Sequence, residues 1–95
     1  MYARVTHFKM KPGSRDAAVA QMNELKDQIL AMPGMHHFIN VMNEDGSGYV
    51  VALVESKETS DANQERTMAM WGRFSEFLEA VPEPGGFDVM ANWSN

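Results

Sequence analysis

The amino-acid sequence predicts an α+β fold in which strands and helices follow one another in the order β-α-β-β-α-β. Two segments carry apolar residues at helical spacing, and four segments are rich in β-branched and aromatic residues. Turns that contain glycine, proline or aspartate separate these segments. With 95 residues, of which 22% are charged, the chain has the size and composition of a single globular domain, residues 1–95.

The first two predicted elements are a strand and a helix. Residues 2–10 alternate loosely between two faces, and Pro12 is expected to end the strand because proline cannot donate a backbone hydrogen bond to a sheet. Ser14 can cap a helix from Arg15 to about Ala31. Residues at helical spacing form its apolar face, which we expect to be buried: Ala18, Met22, Leu25, Ile29 and Met32.

A β-hairpin between Met35 and Ser56 is the central feature of the prediction. Two runs of β-branched and aromatic residues flank a cluster of Glu, Asp, Gly and Ser, and Gly46 and Gly48 can take the positive φ that a turn requires. The second strand, Tyr49 to Val54, is apolar on both faces. Both faces of the sheet must therefore be covered.

Thr59 or Ser60 is predicted to cap a second amphipathic helix that runs to about Val81. Gly72 lies in its middle, where it costs about 1 kcal/mol relative to alanine, and the sequence does not show its role. The predicted buried face of this helix consists of Thr67, Met70, Trp71, Phe74, Phe77, Leu78 and Val81.

The last predicted strand spans Phe87 to Trp93, after a proline- and glycine-rich break at residues 82–86. The order of elements then corresponds to a ferredoxin-like arrangement, a four-stranded antiparallel sheet with two helices on one face. The other face of the sheet would be exposed in a monomer. Since a two-fold dimer is the commonest way to cover such a face, we expect a homodimer.

Charge and composition exclude several function classes. The formal net charge is −5 and the eight basic residues are scattered, which argues against a nucleic-acid partner or an anionic membrane surface. The absence of cysteine excludes disulfides, a thiolate nucleophile and zinc–thiolate sites. The sequence has neither an apolar run typical of a signal peptide nor a membrane-spanning stretch, so we expect a cytoplasmic protein with no membrane partner.

Four short motifs resemble a known family: Phe8-Lys-Met-Lys-Pro-Gly13, Met32-Pro-Gly34, Val54-Glu-Ser56, and a helix with Trp71-x-x-Phe74-x-x-x-Leu78. In order and spacing, essentially the whole chain is similar to the antibiotic biosynthesis monooxygenase-like proteins of the dimeric α/β-barrel superfamily. The resemblance implies a homodimer whose sheets pack face to face, with a pocket in each subunit between sheet and helices. Characterised enzymes of that family use molecular oxygen on phenolic or quinol-type substrates without a metal or flavin. The resemblance therefore implies a small aromatic ligand and no cofactor.

The chain departs from the family's pattern at positions that the haem-degrading members use. Many members carry a tryptophan where this chain has Val54, and the haem-degrading members pair it with an asparagine on the first strand and a histidine on the second helix. Here Thr6 or His7 stands at the place of the asparagine, and no histidine lies between Thr59 and Val81. We therefore expect no haem binding.

Candidate site residues follow from the residue types that such a pocket requires. His7 or His37 could act as a catalytic base, because a histidine ordinarily titrates near pH 6.5. Tyr49, Trp71 and Phe74 could bind the aromatic substrate. The ordinary alternatives are a hydrogen-bonded structural histidine and aromatic residues that only fill the core. We expect no metal site, because adjacent His36 and His37 on one strand point to opposite faces.

Two functions remain compatible with the sequence. The first is a cofactor-independent monooxygenase that acts on a small electron-rich aromatic metabolite. The second is a non-catalytic ligand-binding or accessory dimer of the same fold. The whole-chain resemblance favours the first function, whereas the missing tryptophan and the absence of an evident acid–base pair favour the second.

Overall fold

A computed structural model describes all 95 residues and confirms the predicted α+β, ferredoxin-like fold. Four strands form one antiparallel sheet in the order β2-β3-β1-β4. The helices pack on one face of this sheet. In chain order the elements are β1 (Tyr2–Lys9), α1 (Arg15–Glu24), α2 (Lys26–Leu30), β2 (Met35–Met42), β3 (Ser47–Val54), α3 (Lys57–Ala62), α4 (Gln64–Gly72), a 3₁₀ turn (Ser75–Phe77) and β4 (Glu83–Asp88).

The strand register decides which side chains face the helices. Thr6 on β1 lies opposite Val50 on β3, which in turn lies opposite Asn40 on β2. Residues directly opposite one another in antiparallel strands project from the same face. These three residues therefore form one row on the inner face, which we define as the face toward the helices. Tyr49, paired with His7 and with Val41, belongs to the outer face, which no element of the chain covers.

Each of the two predicted helices is interrupted by one residue. Leu25 separates α1 from α2, and its N–H lies within hydrogen-bonding distance of both the Gln21 and the Met22 carbonyls, at 3.3 and 3.0 Å. Asn63 separates α3 from α4 in the same way. The buried Asn63 side chain donates from Nδ2 to the Pro33 carbonyl at 2.9 Å. This hydrogen bond connects the junction of α3 and α4 to the turn before β2.

The start of the second helical segment differs from the prediction. It begins at Lys57, because Ser56 rather than Thr59 or Ser60 is the N-cap, and the Thr59 N–H donates to Ser56 Oγ at 3.1 Å. The α-helix ends at Gly72 and gives way to a 3₁₀ turn, so it does not continue to Val81. Gly72 is the last residue of α4, and open space surrounds the position where a Cβ would lie.

The prediction for the last strand was wrong in position. β4 spans Glu83–Asp88 and includes Pro84-Gly85-Gly86, which we had predicted to be a break, while residues 89–95 form no regular element. β4 is an edge strand, and edge strands tolerate proline because one side makes no ladder hydrogen bonds. Gly86 is needed because the Tyr2 ring occupies the space that a Cβ would take.

The hairpin turn between β2 and β3 is held by local hydrogen bonds. Gly46 has a φ of 90°, as predicted, but Gly48 does not have a positive φ. Gly48 is needed for a different reason, since a Cβ there would collide with the Val41 carbonyl oxygen. Asp45 Oδ1 accepts hydrogen bonds from the Ser47 hydroxyl at 2.6 Å and from its N–H at 2.9 Å. These bonds, together with the nearby Lys9, lower the pKa of Asp45 below its ordinary value of 3.8.

The hydrophobic core lies between the inner face and the helices. Phe8 on β1 and Leu25 at the first helix interruption are its most completely buried side chains. The Phe8 and Trp71 rings lie 5.7 Å apart between centroids, and those of Trp71 and Phe74 lie 6.1 Å apart, within the usual range for aromatic pairs. Aromatic packing therefore links β1 to the end of α4.

Candidate functional site

A cavity of about 80 Å³ lies between the inner face of the sheet and the helices, and 14 of its 18 lining residues are hydrophobic. One water molecule needs about 10–15 Å³ of such space, so the cavity holds several waters or a compact ligand. Three aromatic residues contribute to its wall, Phe38, Trp71 and Phe74. Six of the nine methionines of the chain also line it: Met10, Met22, Met32, Met35, Met42 and Met70.

Four polar residues line the same cavity: Arg4, Thr6, Asn40 and Thr67. Arg4 is the only ionisable residue among them, and its buried Nε has no hydrogen-bond partner. Asn40 Nδ2 points at Met22 Sδ at 3.1 Å, and a thioether is a weak acceptor. Thr6 is only 3% exposed. The cavity thus combines an apolar wall with a few polar groups whose hydrogen-bonding capacity is not fully used, which is the composition of ligand sites.

The five predicted site residues fall on opposite sides of the sheet. Trp71 and Phe74 line the cavity together. His7 and Tyr49 are paired on the outer face, with ring centroids 5.0 Å apart. His37 also lies on the outer face, opposite Leu53, and its neighbour His36 is exposed where the register of β2 shifts. The structure therefore brings together the two helix aromatics, and separately His7 and Tyr49, but it does not bring the histidines to the cavity.

The polar residues of the cavity were not predicted from the sequence. Arg4 and Thr6 stand two residues apart on β1, on the same face as Phe8 and Met10. The signal was present, because a charged residue at an inward position of an alternating strand must find a partner or a ligand. Asn40 could be added only once the pairing of β2 with β3 was known.

Two further observations bear on function. No group of three or more His, Cys, Asp or Glu side chains is arranged so that it could hold a metal ion. In addition, none of the helices has both the length and the apolar character that crossing a membrane would require.

A ferredoxin-like sheet, helices on one face and an apolar cavity between them define a small α+β protein with an internal apolar cavity. Comparison with known proteins agrees at the level of fold. No protein-family pattern matches the sequence, and no curated protein matches it either. Thirty solved chains or more match the structure.

Three of these structures illustrate the likeness. A candidate antibiotic biosynthesis monooxygenase from Nitrosomonas europaea is 12% identical, with a TM-score of 0.79 over 96% of this chain and 100% of its own. A protein of unknown function from the same organism is 14% identical, with a TM-score of 0.82 over 99% of this chain and 93% of its own. A candidate monooxygenase of the same name from Caulobacter crescentus is 15% identical, with a TM-score of 0.78 over 95% and 90% of the two chains.

These structural matches confirm the fold that the sequence motifs suggested. Several of the matching chains are named antibiotic biosynthesis monooxygenases, and the chain has the fold of these proteins over nearly its whole length. At sequence identities of 12–16%, this likeness concerns the fold alone.

Proposed function

We propose that this chain is a cofactor-independent monooxygenase that acts on a small electron-rich aromatic metabolite of the phenol or quinol type. The observation that carries the proposal is the apolar, aromatic-lined cavity between sheet and helices. A likeness in fold to proteins named as monooxygenases supports the same reading. The cytoplasmic location remains a prediction.

The proposed chemistry balances without an external reductant. A phenolate donates electrons to O₂, a C–O bond forms at the para carbon, and loss of water leaves a quinone. One oxygen atom enters the substrate and the other leaves as water, while the phenol supplies both protons and all four electrons. The task of the protein is to favour the anion and to exclude water, because oxygen can then react with the anion in a dry site.

We propose that Trp71 and Phe74 bind the aromatic ring, because both line the cavity and lie within 6.1 Å of one another between centroids. The predicted role of His7 or His37 as the base stays a proposal to be tested. Both lie on the outer face, so they could reach a substrate only at an interface on that face. A general base typically contributes 10²–10⁴-fold to the rate.

We further propose that the protein is a homodimer through the outer face. Large apolar side chains on this face are exposed in the single chain, among them Ile39, Val41, Tyr49 and Phe87. Apolar patches of this kind mark association surfaces. The His7–Tyr49 pair would then lie within the dimer interface.

Oxygen consumption tests the proposed activity. The protein is loaded anaerobically with an anthrone or a hydroquinone and then aerated, and the initial rate is compared with that of the uncatalysed reaction. A rate clearly above the uncatalysed rate is expected, with a quinone product that carries one oxygen atom from ¹⁸O₂. Oxidation of a hydroquinone to its quinone with no ¹⁸O in the product would count against a monooxygenase. His7→Ala and His37→Ala should each be measured alongside. A rate that neither variant changes would remove the histidines from the mechanism but leave the oxygenase in place.

A second function is favoured by one observation. Among the residues that line the cavity, none has a side chain that ordinarily accepts a proton near neutral pH, because Arg4 is the only ionisable one. This arrangement suits a module that binds an aromatic ligand without converting it. A bound small molecule in native mass spectrometry, with no oxygen consumption for any electron-rich aromatic tried, would support this alternative.

A further inference from the structure

The Arg4 side chain is the polar feature of the cavity that most needs a partner. Arg4 is half-buried among predominantly hydrophobic residues, and its Nε has no hydrogen-bond partner. The one ion pair in the chain joins Lys9 to Asp45 at 3.7 Å, so no carboxylate of the protein neutralises Arg4. A guanidinium in apolar surroundings is costly unless an anion or hydrogen-bond acceptors compensate it. No group of the chain therefore satisfies Arg4 Nε, which is left to water or to an acceptor on a ligand.

The neighbours of Arg4 in the sheet leave room for such a group. Arg4 lies between Ala52 on β3 and Gly86 on β4, which are among the smallest residues of the sheet. The Tyr2 ring fills the space above Gly86, so the β4 side of Arg4 is closed. Ala52 lines the cavity, as Arg4 does. The open side of Arg4 in the sheet is therefore the side of Ala52 and the cavity.

A second polar group lies across the cavity from Arg4. Thr6 and Asn40 stand in one row of the inner face, two strands apart, so their backbones are about 10 Å from one another. The amide N–H of Asn40 is directed only at the Met22 sulfur, so it remains available for a stronger acceptor. Between these polar ends, the walls are apolar and aromatic. Arg4 stands one inward position further along β1, so its backbone is more than about 10 Å from that of Asn40, which leaves room for one aromatic ring with an anionic group at the Arg4 end.

We propose that Arg4 is the anion-binding group of this cavity, and that the cavity takes an aromatic compound with one oxyanion, a carboxylate or a phenolate. The inference rests on the proposed function in that it names the substrate class of the same site. A phenolate held by Arg4 would be the reactive anion itself, stabilised by the guanidinium. A carboxylate would instead fix the orientation of the ring. A guanidinium can bind a carboxylate through two parallel N–H···O bonds, whereas a phenolate presents one oxygen that accepts from one or two of its N–H groups.

Binding of simple probes tests the inference without turnover. Methionine methyl groups labelled with ¹³C are recorded by NMR while benzoate, 4-nitrophenol or neutral benzamide is added, because six of nine methionines line the cavity. Benzoate tests the carboxylate, 4-nitrophenol above neutral pH tests the phenolate, and benzamide is the uncharged control. We expect at least one of the two anions to shift the methyl signals of Met22, Met35 and Met42 and to bind about tenfold or more tightly than benzamide.

Variants then assign the preference to one residue. Arg4→Gln should remove the preference for the anion and leave the binding of benzamide unchanged, whereas Arg4→Lys should retain part of it. Arg73→Gln is the matched control and should change neither, because Arg73 is exposed, follows the last residue of α4 and does not line this cavity. If Arg4→Gln does not fold, Arg4→Lys and the comparison of anion with amide on the wild type still decide the matter.

Three results would overturn the inference: equal binding of anions and benzamide by the wild type, anion binding that Arg4→Gln leaves intact, or no shift of the cavity methyl signals with any anion. The outcomes remain distinct from those for the proposed function. Anion binding through Arg4 without oxygen consumption keeps the inference and removes the oxygenase. Oxygen consumption by the wild type, together with anion binding that Arg4→Gln leaves intact, keeps the oxygenase and removes the inference.

Discussion

Replacing Ile39 with aspartate should dissociate the proposed homodimer while leaving the subunit folded. Ile39 and Val41 on β2 are 50% and 51% exposed, and Phe87 on β4 is 59% exposed, all on the outer face. Full burial of such a side chain is worth about 1.5–3 kcal/mol, so each retains about 1 kcal/mol to be gained on association. A two-fold interface counts each residue twice, so these three contribute about 6 kcal/mol.

The Ile39→Asp substitution removes about 2 kcal/mol of this gain over both copies, and it also buries two carboxylates without partners. The dissociation constant should therefore rise by at least about 30-fold. Sedimentation velocity at micromolar concentration measures the change. Met68→Asp is the matched control, because Met68 is 61% exposed but lies on α4, away from the outer face. A wild type that sediments as a folded monomer, or an equal effect of both substitutions, would refute the reasoning.

Three further predictions concern stability and ligand selectivity. Because the folded state lowers the pKa of Asp45, its stabilising contribution is present above the ordinary value of 3.8 and is lost as the pH falls through the lowered pKa. The urea midpoint of Asp45→Asn should therefore lie below that of the wild type at about pH 7 and approach it at about pH 2; a constant difference would contradict this. Gly48→Ala should cost about 1–3 kcal/mol of unfolding free energy, since its Cβ meets the Val41 carbonyl. Gly72→Ala is its matched control and should be neutral or stabilise by up to about 1 kcal/mol; equal urea midpoints for the two variants would contradict the explanation. Haemin should give no sharp Soret shift at one haem per subunit, because no histidine lines the cavity, and a tight, saturable change would show that the cavity has been misjudged.

The order of elements could be predicted from the sequence because each of its signals is local. The alternation on β1 and the glycine and aspartate of the hairpin turn depend on neighbouring residues only. The position of β4 depends instead on its being at the edge of the sheet, where a proline such as Pro84 is tolerated. The sequence around it contains the same residues that break strands elsewhere. The position of β4 was therefore predicted wrongly because neighbouring residues do not show which strand lies at the edge of the sheet.

The site could be predicted only in part for a similar reason. The helical spacing of Trp71 and Phe74 identified them as inward residues, and both line the cavity. The alternation of β1 also separated His7 from Thr6, as the structure has it. However, which of the two faces carries a ligand site depends on where the helices pack. Arg4 could be recognised as a candidate only in the structure, where no acidic side chain forms an ion pair with it.

The methionine-rich wall has a consequence for the lifetime of the protein. Thioethers are readily oxidised to sulfoxides, which are polar and chiral and disrupt apolar packing. Peroxide that escapes from a reaction with oxygen would first meet the sulfur atoms of Met22, Met35, Met42 and Met70. Each oxidation would add one oxygen atom to an identifiable peptide, and the pattern would separate the cavity methionines from the exposed Met68 and Met90. The pattern would therefore distinguish peroxide formed by a side reaction in the cavity from peroxide that reaches the protein from solution.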